Sequence, residues 1–474
     1  MTILFKKHLL SLFFLASLVS CATSPDAKKN DSTNATTVEF WLTNPDKTAL
    51  FQSQSGQTTV VGGSLSTLEV FESQTFQSID GFGCALTGGS AILINKMSDA
   101  EKAKLLNELF ATDGNNIGMS YLRISIGASD LSDRVFTYDD LPYGQTDTAM
   151  AQFSLEPERK DLIHVLKQIL AINPGIKILG SPWTAPVWMK TKNSSIGGSL
   201  KQHYYAAYSK YFVKYIQGMK AEGIPIDAVT IQNEPLFGGN NPSMIMTAAE
   251  QTTFIKNYLG PDFKVNNIET KIIIYDHNAD RTDYPITVMN DPDAKKYVAG
   301  SAFHLYGGTI DDLSKVKTAH PDKDLYFTEM WVGAPGDLGN DLNWHVKNLI
   351  IGGTRNWCKN VIEWNLASDP DQNPHTDGGC TQCLGAITLN GNTITRNPAY
   401  YILAHAAKFV RPGSVRIGST LSTALPNVAF KTPDGKKVMI VLNDSGSIQV
   451  FKLATGNNTL TFTLKAGAVA TFVW

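Results

Sequence analysis

The sequence predicts an α/β fold: a (β/α)8 TIM barrel with a side β-sandwich formed by the N- and C-terminal segments. Three observations lead there. Eight short apolar runs alternate with amphipathic helical patterns through the middle of the 474-residue chain, which is the pattern of parallel βα units. Both ends carry short strand patterns with Gly and Ser breaks. Polar and aromatic residues, not branched apolar ones, follow several of the central runs, as they do where a barrel opens its site at the C-terminal ends of its strands.

The chain begins with Lys6 and Lys7, an apolar stretch from Leu9 to Leu18, and Val19-Ser20-Cys21. This is the layout of a secretory signal, too short and wrongly flanked for a membrane span. Leu18-Val19-Ser20-Cys21 resembles a bacterial lipobox, so residues 1–21 are expected to be a lipoprotein signal whose Cys21 is lipidated. An ordinary Cys21 in a soluble protein's export signal is the alternative. Residues 22–37 are rich in Ser, Thr, Asn, Asp and Lys, lack aromatics, and read as a flexible tether. The expected location is the bacterial cell envelope, outside the cytoplasm and held to a membrane by the lipid. No later stretch is apolar enough to span a membrane.

Residues 38–77 hold the N-terminal strands of the side sandwich, marked by Val60, Val61, Leu65, Leu68, Val70 and Phe71. Residues 406–474 supply the rest: 415–417, 428–430, 438–442, 449–451 and 460–464 read as strands, and Asp434-Gly435 is a hairpin-turn signal between two of them. Residues 78–405 form the barrel. Its strand candidates are 79–86, 121–126, 176–181, 228–232, 271–275, 300–304, 325–328 and 361–365, with helical patterns over 98–110, 156–171, 204–222 and 342–351.

A net charge of −2 and a charged fraction of 18% leave no basic stripe for nucleic acid and no acidic tail. With Cys21 assigned to the lipid, four cysteines remain: Cys84, Cys358, Cys380 and Cys383. The CxxC spacing of Cys380 and Cys383 has no second Cys or His pair beside it, so no zinc site is expected, and its Gly-rich loop is not the strand-to-helix turn of a redox motif. A local disulfide and two free thiols both fit. No metal or other cofactor is expected.

The chemistry resides at the predicted strand ends: Asp130 after the second, Trp183 after the third, Asn233 and Glu234 after the fourth, His304 and Tyr306 at the sixth, Glu329 after the seventh, and Trp364 on the eighth. Glu234, in Ile231-Gln232-Asn233-Glu234-Pro235, and Glu329, in Phe327-Thr328-Glu329-Met330-Trp331, are the expected pair of a retaining β-glycosidase. Glu234 would be the proton donor, with a raised pKa, and Glu329 the nucleophile. Retention places such carboxyls roughly 5–5.5 Å apart, inversion roughly 6.5–9.5 Å. Asn233 would hydrogen-bond a sugar 2-hydroxyl, Arg123 and Tyr306 would orient Glu329, Asp130 and Trp183 would grip outer hydroxyls, His304 would join the substrate-binding set, and Trp364 would offer an apolar face.

Tyr121-Leu122-Arg123-Ile124, Gly127-Ala128-Ser129-Asp130, Ser181-Pro182-Trp183-Thr184-Ala185-Pro186, Asn233-Glu234-Pro235, His304-Leu305-Tyr306 and Trp364-Asn365-Leu366-Ala367 follow one another in an order that resembles glycoside hydrolase family 30. The resemblance runs from about Gly81 to Arg416. It implies the same barrel and side sandwich, a retaining mechanism without metal, Glu234 as acid/base and Glu329 as nucleophile, and a glucosyl unit gripped by Asp130 and Trp183. Two stretches depart from the family pattern: Gly81-Phe82-Gly83-Cys84-Ala85-Leu86-Thr87-Gly88 lacks an acidic residue, and His375-Thr376-Asp377-Gly378-Gly379-Cys380 sits where aglycone contacts belong. The expected substrate is a β-1,6-glucan or its β-1,6 branches. A glucosylceramidase-like β-glucosidase is the alternative within enzymes. A non-catalytic surface glycan-binding lipoprotein is a third reading, which the retained carboxylate pair opposes.

Overall fold

Each of the eight central runs becomes a strand: β1 (Gly81–Ala85), β2 (Tyr121–Ser125), β3 (Lys177–Ser181), β4 (Ala228–Thr230), β5 (Lys271–Asn278), β6 (Val298–His304), β7 (Asp324–Glu329) and β8 (Cys358–Glu363). They pair in parallel around a closed ring, β8 meeting β1. The computed structural model describes residues 38–55, 65–456 and 458–474. The expected signal with Cys21, the tether 22–37, and Val60 and Val61 lie outside the described residues. None of the described helices is long and apolar enough to cross a membrane.

The barrel lumen is filled by Tyr121, Leu179, Ala228, Ile273, Ala302, Tyr326 and Ile362, one side chain from each of β2 to β8. Side chains alternate in direction along a strand, so the next inward layer toward the C-terminal ends begins two residues later. There the apolar filling stops: Arg123, Ser181, Thr230, His304, Thr328 and Trp364 occupy those positions, and all but Trp364 are polar. On β5 the count of two would give Tyr275. Tyr275 and Asp276 both have left-handed backbone, at φ 72° and 68°, which shifts the phase by one and turns Asp276 inward instead.

Two expected helices appear as Asp99–Phe110 and Tyr205–Ala221. The expected 156–171 helix is broken into Glu156–Arg159 and Leu162–Ile172. The one expected at 342–351 starts earlier, as Leu338–His345 capped by Asp337, and continues as a π-helical stretch Val346–Gly353.

Both chain ends meet in the side sandwich. Its seven-stranded sheet runs Gln52–Gln54, Glu39–Thr43, Val469–Val473, Lys437–Leu442, Asn427–Lys431, Val415–Ser419 and Val70–Ser78 in spatial order, and a second sheet combines Asn458–Leu464, Gln449–Thr455 and Thr67–Leu68. Alternation splits the larger sheet. Val428, Phe430, Val438, Ile440 and Val469 join the core shared with the barrel helices, while Ala429, Met439, Val441, Ala470 and Phe472 pack with Leu68, Phe451 and Phe462 between the sheets. Asp434-Gly435 makes the expected turn, with Gly435 at φ 88°.

Candidate active site

The inward polar layer is organised by a residue absent from the sequence-predicted set. Asp276 is fully buried and accepts hydrogen bonds from Arg123 Nη2 at 2.8 Å, Ser181 Oγ at 2.8 Å, Thr230 Oγ1 at 2.8 Å and Thr328 Oγ1 at 2.6 Å. Burial opposes its charge, but the Arg123 guanidinium and the hydrogen bond and charge of His304 hold the carboxyl far below the usual range. The signal was present: Asp276-His277-Asn278 directly follows the fifth apolar run, at the end of the barrel where the other candidates lie.

Arg123, also fully buried, is the second hub. Its Nη1 donates to Glu329 Oε2 at 2.5 Å, and its Nη2 to Asn233 Oδ1 at 2.7 Å as well as to Asp276. Its guanidinium stands 4.8 Å from the Trp183 ring centroid and 5.8 Å from that of Trp364, a cation–π arrangement in a desolvated site. Tyr306 completes the hold on Glu329: 41% of the residue is exposed, yet its hydroxyl donates to Oε1 at 3.1 Å. Arg123 and Tyr306, the two residues expected to orient Glu329, thus each contact one of its carboxylate oxygens. Asn233 commits its oxygen to Arg123, which leaves its amide NH2 for substrate.

Glu234 sits on a left-handed turn at φ 45°. Such backbone is costly for a residue with a side chain and persists only when the surroundings over-determine it. Here its N–H donates to Asp276 O at 3.0 Å and its carbonyl accepts from Phe237 N at 2.9 Å. His304 corrects the expectation of a substrate contact. It is fully buried, with Nδ1 3.1 Å from Glu234 Oε1 and Nε2 3.2 Å from Asp276. A register shift between Phe303 and His304 in the pairing with β7 re-aims the ring, so it acts on Glu234 and not on a sugar.

Carboxylate oxygens of Glu234 and Glu329 lie within 4.8 Å of one another. Around them opens a cavity of about 380 Å³ lined by Asp130, Phe237, Asn240, His277, Asn278, Tyr306, Trp331, Trp364 and the Cys380–Cys383 pair. Those two cysteines form a disulfide; Cys84 and Cys358 are free and buried. Trp183, expected to touch sugar hydroxyls, is only 2% exposed and stacks behind Trp364, with ring centroids 5.4 Å apart. It backs the wall that Trp364 presents. Phe237, Asn240 and Trp331 line the cavity without belonging to the expected set, because they lie in loops past the strand ends.

Charge is unevenly held across the site. Burial lowers the affinity of His304 for a proton, but Glu329, Asp276 and Glu234 outweigh it and raise its pKa to about 9. For Glu234 burial is overcome by the hydrogen bond and charge of His304, and its carboxyl lies below the ordinary range, not above it as expected. For Glu329 burial, with the charges of Glu234 and Asp276, prevails over His304 and Arg123, and its carboxyl lies above it. Asp130 is pushed up to about 7, first by burial and then by Glu329 and Glu234. Glu234, His304 and Glu329 have the proximity of a metal-binding trio, and both ring nitrogens of His304 already face carboxylates, Nδ1 that of Glu234 and Nε2 that of Asp276.

Two carboxyls from β-strand ends, facing each other inside a sugar-sized cavity at the C-terminal mouth of a TIM barrel, define a glycoside hydrolase. The comparisons agree: the glycosyl hydrolase family 30 TIM-barrel domain matches residues 79–410 and the family 30 beta sandwich domain residues 413–472. The chain belongs to glycosyl hydrolase family 30. It is 35% identical to the endo-1,6-beta-D-glucanase neg1 of Aspergillus fumigatus, over 78% of this chain and 79% of that one. It is 30% identical to the lysosomal acid glucosylceramidase of Mus musculus, over 84% and 81%. The solved structure of the endo-beta1,6-glucanase BT3312 superposes with a TM-score of 0.86 at 36% identity, covering 92% of this chain and 99% of that one.

Proposed function

We propose that this glycoside hydrolase cleaves β-1,6-linked glucan by double displacement. The spacing of Glu234 and Glu329 within 4.8 Å carries the reading: it leaves room for one anomeric carbon and not for a separate water between carboxyls roughly 6.5–9.5 Å apart. Glu329, fixed by Arg123 and Tyr306, attacks that carbon as Glu234 protonates the departing oxygen. A covalent glycosyl-enzyme results, and Glu234 then takes a proton from water to release it.

The reaction needs the proton on Glu234 and the charge on Glu329, whereas the unliganded surroundings lower the pKa of Glu234 and raise that of Glu329. Substrate supplies the reversal. A glycosidic oxygen against Glu234 accepts a hydrogen bond only from the protonated acid, and positive charge growing at the anomeric carbon stabilises the Glu329 anion. Asn233 contributes its NH2 to the 2-hydroxyl, and Asp130 can donate to or accept from outer hydroxyls.

The linkage is supported by the endo-1,6-beta-D-glucanases of Aspergillus fumigatus, Trichoderma harzianum and Neurospora crassa, 34–35% identical to this chain. A β-glucosidase acting on glucosylceramide is the second reading, favoured by glucosylceramidases at 26–31% identity. Incubating the purified enzyme with pustulan, laminarin and glucosylceramide separates the two. Oligosaccharides released from pustulan support the first; turnover of the lipid alone overturns it.

The lipobox reading of Leu18 to Cys21 supports an enzyme tethered by lipid to the bacterial envelope. Wild-type protein should enter the detergent phase of a Triton X-114 extraction and Cys21→Ala the aqueous phase; equal partitioning removes the anchor.

A further inference from the structure

The cavity wall contains a covalent bond that the hydrolytic mechanism does not use. We propose that the Cys380–Cys383 disulfide is a clasp that positions Asp130 and the Trp364 wall for substrate, so that hydrolysis depends on the intact bridge. This rests on the cavity being the glucan site.

The loop after β8 reaches both sides of the cleft. On one side Thr376 N and Oγ1 donate to the Asp130 carbonyl at 2.9 and 3.2 Å, and the Cys380 N–H reaches the Asp130 carboxyl. The approach is close enough that a Cβ on Gly379 would stand 2.3 Å from Asp130 O. On the other side Cys383 pairs with Gly333, and the Gln382 carbonyl accepts from Ala334 N at 2.8 Å, in the loop that leaves Glu329. Between the two anchors Thr381 and Gln382 are exposed. The bridge spans that gap, and Cys383 packs with Trp183 and Trp364. Cut the bond, and Cys380, whose N–H meets the Asp130 carboxyl, is joined to the wall strand only through the exposed Thr381 and Gln382.

Cys380 is half-buried and faces the open cleft, within reach of a small dithiol such as dithiothreitol. Its thiolate attacks one sulfur and breaks the S–S bond to form a mixed disulfide; its second thiol then closes on the first. Two electrons and two protons pass from the dithiol to Cys380 and Cys383, and the reagent leaves as a cyclic disulfide. Cys84 and Cys358 are free thiols and fully buried.

The test compares kcat/KM on pustulan and on an activated aryl β-glucoside for oxidised enzyme, dithiothreitol-reduced enzyme, and the Cys380→Ser/Cys383→Ser double variant, each also carrying Asp130→Asn. Reduction should lower kcat/KM roughly tenfold, reoxidation should restore it, and the double variant should match the reduced enzyme and ignore the dithiol. In the Asp130→Asn background the loss should shrink, because the part that acts through Asp130 is already gone. Rates unchanged by reduction, or losses that simply multiply with Asp130→Asn, overturn the clasp. Reduced wild type with an unchanged circular dichroism spectrum serves if the double variant does not fold. Should oxidised enzyme ignore pustulan, the assigned substrate fails, while the aryl glucoside ratio still reads the clasp.

Discussion

Glu329 and Glu234 are chemically alike and differ in their partners. Glu329 receives an Arg123 guanidinium and a Tyr306 hydroxyl, whereas Glu234 faces the imidazole of His304. Glu329→Ala should therefore abolish turnover of every substrate while sugar affinity, read by calorimetry, survives. Glu234→Ala should lose the natural glucan but retain the first step on aryl glucosides whose leaving groups need no proton. Equal losses on both substrates would remove the acid role. Asp276→Asn breaks the buried Arg123 pair and should cost about 3–5 kcal/mol in a urea melt. His304 adds a pH dependence. Its folded pKa of about 9 lies above the ordinary 6.5, so the folded state binds this proton more tightly than the unfolded one. That stabilisation is complete below pH 6.5 and disappears as pH rises through 9, a fall on the order of 3 kcal/mol. The melting profile of His304→Gln should be flatter across that window.

At the level of elements, the eight strands were legible because each is a short apolar run bounded by turn residues and separated by a helical pattern. Their ends were legible because Glu234, Glu329 and Trp364 interrupt what should be branched apolar filling. Asp276 was not, since strand periodicity predicts Tyr275 inward and only the pair of left-handed residues reverses it. The directions of His304 and Trp183 were also hidden: a register shift re-aims the first, and stacking behind Trp364 withdraws the second. The short strands Val332–Gly333 and Cys383–Leu384 have no periodicity to read, yet they form part of the cleft wall. Strand closure itself is testable at Gly83, where a Cβ would stand 1.8 Å from Tyr121 O. Gly83→Ala should force β1 and β2 apart and cost roughly 3 kcal/mol or more, measured as a lowered urea midpoint.

Across the whole molecule, barrel and sandwich share a core instead of meeting at a hydrated seam. His405, on the helix Pro398–Ala407, contacts Thr471 Oγ1 at 2.9 Å and Thr43 Oγ1 at 2.8 Å, one from each chain end. Arg416 of the sandwich lays its guanidinium 3.5 Å from the Phe76 ring centroid and 5.6 Å from that of the barrel's Trp357. Unfolding should therefore appear as one calorimetric transition; two separated transitions would show independent domains. What this scaffold delivers is a pair of acids held around one anomeric carbon. Its most direct test is labelling with an activated 2-deoxy-2-fluoro-β-glucoside followed by peptide mass mapping. A single fluoroglucosyl adduct on Glu329 is the predicted result, and an adduct on any other residue, or hydrolysis that yields the α-anomer with no adduct, would contradict it.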